Sequence, residues 1–210
     1  MRFEYHHPVI PFTRIASTIV ALSAWAGLVL QFVDSLQLTG NDAIAALWAM
    51  LMYFTILTNL LVAVAFTAVA LGYAVVPWVL GGTMLSIVLV GAIYALLLSD
   101  IPLGNTSTAA LANSLVHRIT PVLVVLFWIA CVPKGTLQWH DAAYWAVYPF
   151  AYLGYVLLRG YFTQRYPYPF IHVAEIGWAT TLRNSTGIAI GFITASILLI
   201  GIDQLARRSH

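Results

Sequence analysis

IAALWAMLMYFTILTNLLVAVAFTAVAL, residues 44–71, is a run of 28 residues without a charged side chain, a glycine or a proline. Crossing about 30 Å of hydrocarbon takes roughly 20 predominantly apolar residues in a helix. The run is therefore long enough to span a bilayer, and its only strongly polar members are Thr55, Thr58, Asn59 and Thr67. Working outward, five further apolar runs bounded by charge, proline or glycine predict spans at Ile15–Val33, Val76–Leu98, Ala109–Val132, Ala143–Leu158 and Ser185–Ile202. The expected fold is all-α: a polytopic membrane protein, residues 1–210 forming one bundle of six transmembrane helices. The run at Ala143–Leu158 is the shortest and contains Pro149, which favours a tilt or kink there.

Composition agrees. Of 210 residues, 61% are hydrophobic and 8% charged, against about a quarter charged in soluble domains. The basic residues are scattered rather than clustered, so a nucleic-acid partner is not expected. Cys131 is the one cysteine and cannot form an internal disulfide; in an apolar run it reads as a small buried hydrophobe. Arg2, Arg14, Lys134, Arg207 and Arg208 fall on the side shared by both termini, against Arg159, Arg165 and Arg183 opposite. The positive-inside rule then favours cytoplasmic termini. The opening residues, with Arg2, His6 and His7, precede a first span read as a retained anchor.

Polar residues at bilayer depth need partners or a wet cavity. In the second span Thr55, Thr58 and Asn59 recur at helical spacing and share one face; in the fourth, Asn113, Ser114, His117 and Thr120 form another. Thr55 lies eleven residues after Ile44 and His117 eight after Ala109. In straight parallel helices both sit roughly 12–17 Å below the outer surface at 1.5 Å per residue. A hydroxyl beside an imidazole is the minimum equipment for nucleophilic catalysis. Pro121 cannot donate to the His117 carbonyl, so the helix there needs other polar support. The plainer alternatives are a threonine bonded to its own helix and an asparagine joining two helices.

Other features point less far. The aromatic and proline-rich stretch Arg159–Phe170 fits an interfacial belt or a lid. Gly187 and Gly191 suit close helix contact, within the chain or between copies of it in a homo-oligomer. Asn105 and Asn184 each begin a short glycosylation-type triplet. No H-E-x-x-H or G-x-S-x-G motif is present, and only His117 among the histidines lies within a span, which disfavours a two-histidine haem. No cofactor or metal is expected.

Phe54-Thr55-Ile56-Leu57-Thr58-Asn59-Leu60-Leu61, His117 with Pro121, and Tyr166-Pro167-Tyr168-Pro169-Phe170 after Arg159-Gly160 resemble the prokaryotic six-transmembrane-helix branch of the androgen-induced gene membrane-protein family. Animal members are threonine- and histidine-dependent hydrolases of fatty acid esters of hydroxy fatty acids. The resemblance implies Thr55 as nucleophile and His117 as its base, acting on a lipid-like ester among membrane lipids. Two departures stand out. Asn59 occupies the place of an aspartate in the animal pattern, with a one-residue register shift that makes Thr58 a competitor for Thr55. The histidine-to-proline spacing is also one residue shorter.

The expected function is thus an intramembrane ester hydrolase. Thr58, Asn59 or Asn113 would donate to the oxyanion, and Arg118, Arg159 or Arg165 would hold a substrate carboxylate. The alternative is a non-enzymatic scaffold, either a small-solute carrier or a structural helix bundle.

Overall fold

The computed structural model describes residues 11–99 and 106–207. Arg2, His6, His7, Asn105 and Arg208 lie outside the described residues. Among those described the regular structure is entirely helical. Among the described residues four helices are long and apolar enough to cross a membrane: Pro11–Leu38, Pro77–Leu98, Ser107–Cys131 and Val173–Arg207. A bent pair brings the number to five if it counts as one span. Several long apolar helices of this kind fit an integral membrane protein.

The chain forms two compact units, residues 1–133 and 134–210. In the first, α1 (Pro11–Leu38) packs on α3 (Phe54–Ala70), which also meets α4 (Pro77–Ile93). A short α2 (Ala43–Met50) precedes α3, capped by the Asp42 carboxylate, which accepts from the N–H groups of Ile44 and Ala45. α5 (Ser107–Ser114) leads through a π-turn, Leu115–Ile119, into α6 (Thr120–Cys131). A second π-turn, Tyr94–Leu98, ends α4.

Polar ties hold α1 to its neighbours. Arg14 donates from Nε and Nη2 to the Ala70 and Leu71 carbonyls, both at 3.2 Å, which satisfies the C-terminal end of α3 with a cation. Trp25 Nε1 donates to Thr67 Oγ1 at 3.1 Å, and Ser23 and Thr120 share a hydroxyl hydrogen bond of 2.8 Å.

The expected second span is not one straight helix. It breaks at Leu51–Tyr53, and α2 and α3 meet at 95°. Tyr53 is extended (φ −94°, ψ 128°), and its carbonyl accepts from Ile56 and Leu57 to start a new helix. Neither glycine nor proline marks the bend. Ala46 and Met50 are buried on one side of it and Phe54, Thr55 and Ile56 on the other, so burial on both arms sets the turn. Thr55 accordingly lies in the first turn of α3, and the depth expected for it in a straight helix does not apply.

The second unit contains α7 (Asp141–Thr163), a single 3₁₀ turn (Pro169–Ile171) and α8 (Val173–Arg207). α7 has the length of a span, but Tyr144, Tyr148, Tyr152, Tyr155 and Tyr161 dilute its apolar surface; it is not among the helices that qualify by composition. α8 breaks at Gly177, whose positive φ of 73° few other residues adopt. Buried Asp203 accepts from the Leu137 N–H at 2.9 Å and ties the α6–α7 connection to α8. Cys131 is half-buried rather than buried. A Cβ on Gly187 or Gly191 would meet open space.

Candidate active site

The first turn of α3 and the π-turn before α6 bring the two expected catalytic residues together. Thr55 Oγ1 lies 3.2 Å from His117 Nε2, and both side chains are buried. His117 Nδ1 is 3.2 Å from the carbonyl oxygen of Asn113. A carbonyl can only accept, so Nδ1 carries the hydrogen of the neutral ring. Nε2 then presents its lone pair to the Thr55 hydroxyl, the tautomer a base for that hydroxyl requires.

The π-turn explains the local geometry. The Thr120 N–H donates to Leu115 O, five residues back, rather than to Val116 O. Pro121 has no N–H to offer. The Val116 carbonyl is instead met by Asn59 Nδ2 at 3.1 Å, and the same amide donates to Thr55 O at 2.9 Å. The His117 carbonyl faces Gly91, where a Cβ would stand 3.3 Å from it. On the other side Gly27 lets α1 approach, since a Cβ there would fall 2.7 Å from Val116 Cγ1.

Tyr94, which the sequence did not single out, completes the site. Its buried ring stacks on the His117 imidazole with centroids 4.4 Å apart and planes 22° apart. Its hydroxyl accepts from Asn113 Nδ2 at 2.9 Å and from Arg118 Nη2 at 3.3 Å. The Arg118 guanidinium also lies 5.3 Å from the Tyr94 ring centre. In an α-helix residues five apart point about 140° away from each other. The wider π-turn narrows that separation, and Asn113 and Arg118 both reach one hydroxyl. The signal for Tyr94 was a lone tyrosine within an apolar span, which no periodicity connects to His117.

Several expected roles change. Both Asn59 amide hydrogens are used on backbone carbonyls, so Asn59 is not an oxyanion donor; its Oδ1 is buried without a hydrogen-bond partner. Thr58 is fully buried on α3, while the bond to Nε2 is made by Thr55. The expected polar face of the fourth span divides: Asn113 and His117 serve this site, whereas Thr120 turns to Ser23 on α1.

Arg159 and Arg165 belong to the second unit. Arg159 is buried and donates from Nη1 to Tyr155 OH at 2.8 Å, and Arg165 is exposed after α7. In the same unit the Tyr166 ring lies against Gly160 and 5.1 Å from the His172 ring, and Tyr168 stacks on Phe170. Asn184 donates its amide to the Phe170 carbonyl at 3.0 Å. No group of three or more metal-ligating side chains is found among the described residues.

No protein-family model, curated protein or solved structure matches this chain.

Proposed function

We propose that the protein is an intramembrane hydrolase of a lipid or fatty-acid ester, with Thr55 as nucleophile and His117 as base. One observation carries the reading: a buried threonine hydroxyl aimed at Nε2 of a histidine whose Nδ1 hydrogen is held by a backbone carbonyl. The resemblance to the androgen-induced gene family, drawn from the quoted sequence stretches, supports the lipid-ester substrate. The six-span form of that family would have α2 and α3 cross as one broken span and α7 cross despite its tyrosines. The setting would be a bacterial plasma membrane with both termini cytoplasmic.

In this mechanism His117 Nε2 takes the hydroxyl proton as Thr55 Oγ1 bonds to the acyl carbon. The tetrahedral intermediate collapses, the bond from the acyl carbon to the alcohol oxygen breaks, and Nε2 returns its proton to the departing alcohol. Water then attacks the acyl-threonine, again deprotonated by Nε2, and releases the fatty acid with Thr55 restored. The first turn of α3, the positive end of its dipole, lies beside the charge that develops. Asn113 Nδ2 and Arg118 Nη2 both bind the Tyr94 hydroxyl, and each group keeps further N–H donors for a substrate oxygen.

A second reading, a structural scaffold, draws on Asn59, whose two bonds join α3 to the π-turn, and on the Ser23–Thr120 pair. Fluorophosphonate labelling of the purified protein in detergent separates the two. Labelling of wild type that is lost in both Thr55→Ala and His117→Ala supports the hydrolase. Labelling that follows Thr58→Ala instead moves the nucleophile, and a folded wild type that never labels beside a labelled control hydrolase favours the scaffold.

A further inference from the structure

We infer that Tyr94 is a positioning residue for the His117 base: it clamps the imidazole between a stacked ring and the Asn113 backbone, and so selects the tautomer that faces Thr55. In its consequence for rate this inference rests on the hydrolase reading; in its consequence for the imidazole it does not.

A neutral histidine can carry its hydrogen on either nitrogen, and only the form with hydrogen on Nδ1 leaves Nε2 able to accept from Thr55. The Asn113 carbonyl imposes that form only while the ring is held in the plane that points Nδ1 at it. Two groups set that plane. The Tyr94 ring covers one face of the imidazole, nearly parallel and 4.4 Å away. The Tyr94 hydroxyl binds the Asn113 side-chain amide at 2.9 Å, and thus fixes the residue whose carbonyl receives the Nδ1 hydrogen. One tyrosine therefore touches both the base and its orienting group.

The hydroxyl is itself held. Arg118 Nη2 reaches it at 3.3 Å, so the phenol oxygen accepts two donors, the capacity of its two lone pairs. The two π-turns, Tyr94–Leu98 and Leu115–Ile119, begin at Tyr94 and contain His117 respectively. π-Bulges inside helices are rare and frequently fall at functional sites. Here the second brings Asn113, His117 and Arg118 to the same tyrosine.

The test compares wild type with Tyr94→Phe and Tyr94→Leu, as full-length purified protein in detergent. Two quantities are measured: the rate of fluorophosphonate labelling and the ¹⁵N NMR signature of His117, assigned by subtraction of the His117→Ala spectrum. Phe keeps the stacked ring and loses both hydroxyl contacts, so labelling falls several-fold. Leu loses the stack as well, and labelling falls by up to about a hundredfold, the scale of a misplaced catalytic group. In wild type the His117 signals report hydrogen on Nδ1 alone; in the variants they shift toward a mixture of tautomers. A merely structural tyrosine would lower thermal stability without moving the tautomer.

Wild-type labelling rates and an unchanged Nδ1–H signature in the variants would overturn the inference. Should Tyr94→Leu fail to fold, Tyr94→Phe decides by the same two readings. If wild type itself does not label, the hydrolase reading fails, and the His117 spectrum alone then judges Tyr94: a mixture supports the clamp and an unchanged signature rejects it.

Discussion

Asn59 on α3 donates a 3.1 Å hydrogen bond to the carbonyl of Val116, the carbonyl that the π-turn leaves without its usual helical donor. The amide orientation is fixed, because its two partners are backbone oxygens and only Nδ2 can serve them. This bond places the first turn of α3 against the π-turn, and the meeting of Thr55 with His117 follows from it.

An aspartate at position 59 would turn a carboxylate oxygen toward one or both of those carbonyls. Asn59→Asp is therefore expected to destabilise the protein more than Asn59→Ala. Alanine leaves the Val116 carbonyl, which lacks its helical donor, without a partner, and such a buried loss costs about 1–3 kcal/mol. Thermal unfolding in detergent checks the order; an aspartate variant as stable as wild type would show that the amide is not the required group.

Thr55→Ser keeps the hydroxyl and Thr55→Val keeps the shape. Serine is expected to label with fluorophosphonate within about tenfold of wild type, a difference of roughly 1.4 kcal/mol in barrier, while valine does not label. Valine also removes one buried hydrogen bond, at a net cost of about 1 kcal/mol. A valine variant that labels like wild type would remove Thr55 from the chemistry.

Gly27 and Gly187 should respond oppositely to alanine. At Gly27 the new methyl meets Val116 Cγ1 at 2.7 Å, and overpacking of a close contact costs about 1–3 kcal/mol, more than the helix-propensity gain of up to about 1 kcal/mol. At Gly187 nothing opposes that gain, since the methyl would enter open space. Melting temperatures should fall for Gly27→Ala and rise or hold for Gly187→Ala. A fall at Gly187 would mean that a second copy covers this face, as a homo-oligomer through Gly187 and Gly191 requires.

Asp203→Ala removes the acceptor of the Leu137 N–H and is expected to lower stability by about 1–3 kcal/mol. Asp203→Asn retains a carbonyl oxygen for that bond and should lose less. Amide hydrogen exchange at Leu137 is the direct measurement: faster exchange in the alanine variant is expected, and unchanged exchange would show that Asp203 does not hold the connection.

The sequence by itself determined that the chain carries several segments apolar enough for a bilayer, because an apolar run of that length and an 8% charge content are properties of composition alone. It also determined which polar residues needed an explanation: Thr55, Asn59, Asn113 and His117 lie in segments where polar atoms are costly. The tertiary structure decided which partner each one meets. The bend at Leu51–Tyr53 carries no glycine or proline, and burial on its two arms sets it. The bond between Thr55 and His117 joins residues 62 positions apart, and the stack of Tyr94 on His117 joins two separate π-turns. Helical spacing reports which residues share a face of one helix, but not which face of another helix they meet or where a π-turn changes the register. Asn59 as a bridge, Thr120 turned toward α1 and Tyr94 stacked on His117 are consequences of packing between helices, and that packing depends on the shapes of both surfaces at once.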